Sequence, residues 1–291
     1  MFCPASAYAS LEGGDGMGAG KLKTKRYKVR RGGRGVMAGL IALMALVALA
    51  TAAYFGLLPL PDLQWALPPS PTLTPQDSAA ETRLLTLPGG AWYALQLGAF
   101  DDSAAAQSLA ESYRGRGAGG LIWQTDRYRV LAAAYETRAD AQAVQSQLKA
   151  QHGVETAVTD IVWPEITLKL TGQKAQLDAL SDAYDALQKL TAHLFALSQV
   201  LDRGGADREA VLSALQSERD TVSALQSRLQ ALFSMDAHPA VRDVIDLLGE
   251  AMKALDTALA ATGDTRLGAR VKYGQLLCVC RLAAHQQGLA P

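Results

Sequence analysis

The chain has 291 residues, 28 basic and 28 acidic, and 49% of its residues are hydrophobic. That apolar share can furnish cores for about two domains and sets the chain apart from charge-rich disordered sequences. Asparagine is absent, which excludes N-glycosylation sequons, and three cysteines make no disulfide framework.

The neutral total hides an asymmetry. Residues 1–16 lack periodicity and read as disordered, and Met17 directly precedes a basic run, so the start is Met1 or Met17. Residues 21–35, KLKTKRYKVRRGGRG, carry eight Lys or Arg and no acid. The next 23 residues, 36–58, carry no charge. At about 1.5 Å per residue a helix of that length reaches roughly 34 Å, enough to cross a hydrocarbon layer of about 30 Å. Cations before the span place the N-terminus in the cytoplasm and the rest of the chain outside. The apolar run exceeds the roughly 7–15 residues of a signal-peptide core, which favours a retained anchor over a cleaved leader. A cleavage site such as ATAA at 50–53 would fall inside the run.

Eight of the basic residues but only two of the acidic ones precede Val36, so the exported part is mildly acidic. That argues against a nucleic-acid partner, which needs a concentrated basic face. The basic stretch reads instead as a topology signal in contact with anionic lipid. Residues 59–75, PLPDLQWALPPSPTLTP, include six prolines and begin a semi-rigid spacer that extends to residue 88.

A repeat follows. YALQLGAFDDSAAAQSL at 93–109 aligns with YRVLAAAYETRADAQAV at 128–144, an offset of 35 residues. GLIWQTD at 120–126 aligns with ETAVTDI at 155–161. Each copy reads as strand, helix, strand. Tyr93, Leu95 and Leu97 share one strand face, as do Tyr128, Val130 and Ala132. Asp102 and Thr137 are matching N-caps, and Gly117 and Gly153 follow the helix ends. The result is a βαββαβ ferredoxin-like sandwich with both helices on one sheet face. The opposite face is expected to be open. It would display Trp92, Ala94, Gln96 and Gly98 on one strand, and Arg127, Arg129, Leu131 and Ala133 on another.

The YALQLGAF strand, the alanine-rich helix and the YRVLAAAY strand resemble the SPOR domain family, over about residues 89–164. The resemblance implies a bacterial module that binds septal peptidoglycan through its open sheet face, above all glycan strands stripped of stem peptides. It maps Gln96 onto the family's strand glutamine, Ala99 onto the small residue that follows, and Tyr128 and Arg129 onto a Tyr-Arg pair. Arg127 stands where some members place an aromatic ring, and Ala132, Ala133 and Ala134 replace the Gly-Pro of the family's second motif. The implied peptidoglycan-binding set is Trp92, Gln96, Ala99, Arg127 and Arg129, with Trp123 as a further aromatic candidate. The amide of a glutamine both donates to and accepts from sugar groups, and aromatic rings cover apolar sugar faces.

From residue 165 the pattern turns helical. Leu177, Leu180, Tyr184, Leu187, Leu194, Leu197 and Leu201 step by threes and fours, and Asp207 is an N-cap. His238-Pro239 opens another helix, and a weaker one spans about 266–285. Short connections predict a bundle of three or four helices, of unknown role. Cys278 and Cys280, at i and i+2, read as two small apolar residues facing different ways. No HExxH, GxSxG or Walker motif occurs, so neither an enzyme nor a cofactor is expected.

The chain thus reads as α+β with an all-α addition. A cytoplasmic tail occupies 1–35, a transmembrane helix 36–58, a proline-rich linker 59–88, a SPOR domain 89–164 and a helical bundle 165–291. The expected function is peptidoglycan binding at the bacterial cell membrane, with the septum as the expected site, in cell division, sporulation or envelope organisation. The helices would meet a divisome or envelope protein. The alternative is an envelope scaffold that binds protein and no glycan.

Overall fold

The computed structural model describes residues 80–290 apart from 205–206 and 235–236. The basic tail, the expected span at 36–58 and the proline-rich stretch up to residue 79 lie outside the described residues.

The expected βαββαβ unit is present. It consists of β2 (Gly90–Phe100), α1 (Ser103–Arg114), β3 (Leu121–Gln124), β4 (Tyr128–Tyr135), α2 (Arg138–His152) and β5 (Ala157–Trp163). The strands form one antiparallel sheet in the order β3-β4-β2-β5. Asp102 caps α1 by accepting from the Ala105 N–H, and Thr137 caps α2 by accepting from the Asp140 N–H. Gly153 ends α2 at φ 63°, a left-handed position that suits a residue without Cβ. Helices α1 and α2 cover one sheet face, where Ala106, Ala110 and Ala141 meet Leu95, Val130 and Ala133.

The unit is framed by a ribbon. Residues 80–87, expected within the linker, form β1 (Ala80–Leu87), which pairs antiparallel with β6 (Ile166–Gln173). Both segments alternate in the manner of strands. Leu85, Leu87, Ile166, Leu168 and Leu170 turn to the helical core, while Thr82–Thr171 and Thr86–Thr167 pair their hydroxyls on the other side. The helical region therefore starts only after Gln173. The leucine stripe of 177–201 outweighed the short strand pattern before it.

Four helices follow: α3 (Lys174–Arg203), α4 (Arg208–Leu232), α5 (Pro239–Leu259) and α6 (Asp264–Leu289). Asp207 caps α4, and Pro239 is the first residue of α5 behind His238. Leu187, Leu194, Leu215, Leu229, Leu248, Leu255 and Val271 build a shared core. His193, which sits in a leucine-rich stretch, is exposed and bonds Glu218. His285 is the buried histidine, held between the Tyr184 hydroxyl and the Asp243 carboxylate.

Helix α6 is buried on two sides, as a helix apolar around most of its circumference must be. Cys278 and Leu282 face the bundle core, and Leu276, Val279, Cys280 and Ala283 face the β-sheet. The two cysteines do point different ways. The expectation of an open outer sheet face is therefore overturned around the start of β2, because α6 lies across it there. That part is itself apolar: Trp92, Ala94, Leu131, Ala134, Ile161 and Trp163 pack under α6.

Candidate functional site

Strand register fixes which residues share the outer sheet face, because directly opposed residues point the same way. Trp92 lies opposite Ile161, Ala94 opposite Ala134 and Thr159, and Gln96 opposite Leu131 and Ala157. Two register shifts then intervene, between Leu95/Gln96 and Gln96/Gly98. A bulge inserts one residue and turns the next side chain over. Ala133 accordingly lies opposite Leu95 and belongs to the inner face, with Ala134 outward in its place. Gly98 also faces inward, where a Cβ would meet Phe100 and Leu109. These are corrections to a strict period of two. Beyond the bulge, Ala99, Arg129 and Trp123 line up in one row across β2, β4 and β3.

The outer face thus has two halves. The half at the start of β2 is closed: Trp92 is buried and meets the Phe195 ring of α3 edge-on at 5.4 Å. Gln275 of α6 donates to the Ala134 carbonyl at 3.0 Å, and Gln287 donates to the Val162 carbonyl. Gly119 lets α6 approach, since a Cβ there would sit 3.0 Å from the Tyr273 backbone nitrogen.

The other half is partly open and polar. Gln96 is half-buried, and its Oε1 accepts from Arg129 Nη1 and from the Thr159 hydroxyl, both at 3.0 Å. Arg129 also donates to Thr125 Oγ1 at 3.1 Å and to Asp126 Oδ1 at 2.9 Å. The Thr125 hydroxyl and then Arg129 hold the Asp126 carboxyl down to about 2, so Arg129 faces an ionised partner at neutral pH. The guanidinium is therefore fixed in place across β4. With its oxygen engaged, Gln96 has its amide nitrogen left over, with no partner among the described residues. Trp123, half-buried at the border with the closed half, adds an aromatic edge beside Arg129.

Of the residues singled out in the sequence, the structure brings together Gln96, Ala99, Arg129 and Trp123. It removes Trp92 to the core beneath α6. Arg127 stands in the turn before β4, exposed, and its guanidinium grips Asp101 at 2.8 and 3.3 Å. Thr159 is the addition that sequence reading missed. Its signal was the alternation of β5, which puts Thr159, Ile161 and Trp163 on one face. Among the described residues no cluster of His, Cys, Asp and Glu suits a metal ion.

Compared with curated proteins and with solved structures, the chain matches none of them. Residues 88–159, which hold the four-stranded sheet up to Thr159 together with its two helices, match the family model of the SPOR domain, and the chain carries a SPOR domain there.

Proposed function

We propose that this SPOR domain binds the glycan strands of peptidoglycan, those stripped of stem peptides in particular, on the polar half of its outer sheet face. The observation that carries the reading is the row Trp123, Arg129 and Ala99 with Gln96 bonded into it, left partly open on a domain of a family that generally binds peptidoglycan. The free amide of Gln96 and the unused guanidinium donors of Arg129 suit the acceptor oxygens of a sugar chain. The Trp123 ring suits an apolar sugar face.

The charge-free run at 36–58 and the basic stretch before it support a single membrane anchor with the SPOR domain outside, concentrated at the septum. In this reading the helices are the module through which a divisome or envelope protein is met, and no catalytic step is assigned. Co-sedimentation of the full chain with denuded sacculi tests the reading. Binding that falls in Gln96→Ala and in Trp123→Ala supports it, and equal sedimentation by the parent and both variants rejects it.

A second reading rests on the closed half. That half packs under α6 of the same chain, so a part of the sheet face is already matched to polypeptide and not to sugar. An envelope scaffold that takes only protein partners would give no sedimentation with denuded sacculi. It would also give no enrichment of a fluorescent full-length fusion at the septum.

A further inference from the structure

The SPOR domain and the helical region also meet at a second place, away from the sheet face. There the end of α1, the end of α5 and the first turns of α6 enclose a cleft of about 370 Å³. That volume falls within the range of about 300–1,000 Å³ usual for small-molecule sites. Its charged lining consists of Arg114, Arg266 and Arg270. No carboxylate is among its described lining residues, although the exported part of the chain is acidic overall.

The acids on the same helices are committed elsewhere. Asp256 of α5 pairs with Arg219 at 3.0 Å, and Asp264 of α6 pairs with Arg208 at 3.0 Å. Arg208 also takes the Ala261 carbonyl, one of the acceptors at the end of α5 that would repel an anion. None of the three cleft arginines has a carboxylate within ion-pair distance among the described residues. Arg266 and Arg270, at i and i+4, project from one face of α6. Arg114 is held from behind. Its Nη2 donates to the Gly120 carbonyl at 2.7 Å, its Nε donates to Gly119, and the guanidinium lies 5.7 Å from the Tyr273 ring centre. Its remaining N–H groups stay available.

Three like charges around one cleft repel one another, and a bound anion relieves that repulsion. A guanidinium presents its donors as a planar fork that matches phosphate oxygens in pairs. We propose that this cleft is a binding site for a phosphorylated ligand, a phosphate ester or diphosphate that carries more than one negative charge. Thr262, at the rim, accepts from Arg266 Nη1 at 3.4 Å and keeps its own O–H for a remaining oxygen, whereas the Thr257 hydroxyl is spent on the Lys253 carbonyl. The site stands independently of the glycan-binding reading.

The test is isothermal titration of the full chain, purified in a non-ionic detergent, with sodium pyrophosphate and separately with monomeric dihexanoyl phosphatidic acid. Saturable binding of either probe is expected. It should weaken about tenfold or more in the double variant Arg266→Gln/Arg270→Gln, which removes two charge-assisted contacts. Arg242→Gln, an exposed change on α5 outside the cleft, should leave binding as it was. Preference for the phospholipid assigns the site to a lipid headgroup, and preference for pyrophosphate assigns it to a soluble ester. No saturable binding of either probe at millimolar concentration overturns the proposal, as does unchanged binding by the double variant. Both arginines lack ion pairs, so the double variant keeps the fold, and its melting curve verifies that.

Discussion

The indole of Trp92 on β2 meets the ring of Phe195 on α3 edge-on at 5.4 Å. Tyr135 on β4 meets the same ring at 6.2 Å, also edge-on. One phenylalanine of the helical region thus touches two strands of the SPOR sheet. The contact joins two regions that the sequence presents as separate modules. Beneath α6 the sheet residues and helix residues form a single apolar cluster. Hence only the polar half of the face is left partly open, and the helices are part of the support of that half.

Truncation of Trp92 should therefore act on stability rather than on a ligand contact. Trp92→Ala removes a buried aromatic side chain, a change that costs about 3–5 kcal/mol. Urea titration followed by far-UV circular dichroism measures it. A loss below about 1 kcal/mol would falsify the packing described here.

Excision of the SPOR domain should uncover the same cluster. A fragment of residues 80–173 would expose Trp92, Leu131, Ala134, Ile161 and Trp163, a contiguous apolar patch of the kind that drives association. The expected result is strong binding of a hydrophobic dye and self-association in analytical ultracentrifugation, neither expected of residues 80–291, in which α6 covers the patch. A monomeric fragment that ignores the dye would mean that α6 is dispensable as a cover.

Gln96→Ala and Trp123→Ala should each weaken sedimentation with denuded sacculi beyond the modest loss of stability that follows from the Arg129 and Thr159 bonds to Gln96 and the packing of Trp123. Gln96 loses one or two hydrogen bonds to a sugar, worth about 1 kcal/mol or roughly fivefold in affinity. Trp123→Phe should retain most of the binding, because the ring surface persists. Loss of binding in Trp123→Phe as severe as in Trp123→Ala would point to a structural role for the indole.

The repeat, the caps and the strand alternation make most of the βαββαβ unit legible in the sequence. Asp102 and Thr137 occupy matching cap positions because N-caps follow from side-chain chemistry within one turn. Gln96, read as outward, is outward. Gly98 and Ala133 were not readable, because a bulge is a register event between two strands and leaves no mark in either strand alone. Residues 80–87 and 166–173 are distant in sequence, and each is a short alternating segment beside a stronger pattern. The cover by α6 was legible only in part. Ile161 and Trp163 make the outer side of β5 apolar, which is a sign of a buried face. What buries it could not be inferred, since α6 is apolar on two sides and its stripe does not say which side meets the sheet.

Gly119→Ala tests the close approach of α6 to the sheet. The added Cβ would stand 2.9 Å from Leu276 Cδ1, 3.0 Å from the Tyr273 nitrogen and 3.1 Å from the Ala132 carbonyl oxygen. Two of those three neighbours are backbone atoms, so a side-chain rotation cannot relieve the clash. The expected cost is about 1–3 kcal/mol. Accelerated amide hydrogen exchange along β3 and the first half of α6 should accompany it. Exchange that is unchanged there, with stability intact, would show that the helix does not rest on this loop.

The two cysteines of α6 supply a pH dependence whose sign can be worked out. Burial pushes the Cys278 thiol from 9.0 up to about 12, and it pushes the Cys280 thiol up to about 12 as well. An apolar surrounding disfavours the thiolate, so the folded chain keeps both protons where the unfolded chain has released them. The folded-state values lie above the unfolded ones, so this contribution is fully present below about pH 9. It is lost as the pH rises from there towards 12. Burial also raises Tyr135 and Tyr184, whose own losses begin above their ordinary value of 10. The thiols are separated from the tyrosines by comparing the parent with Cys278→Ala/Cys280→Ala in urea titrations at pH 8, 9, 10 and 11. The parent should lose more stability than the variant over that range, starting near pH 9. Parallel curves for the two proteins would mean that the thiols already meet water. At pH 8 a thiol reagent should label Cys278 and Cys280 slowly in the folded parent and fast after denaturation, read by peptide mapping that separates them from Cys3, since both sulfur atoms are enclosed by the bundle and the SPOR sheet.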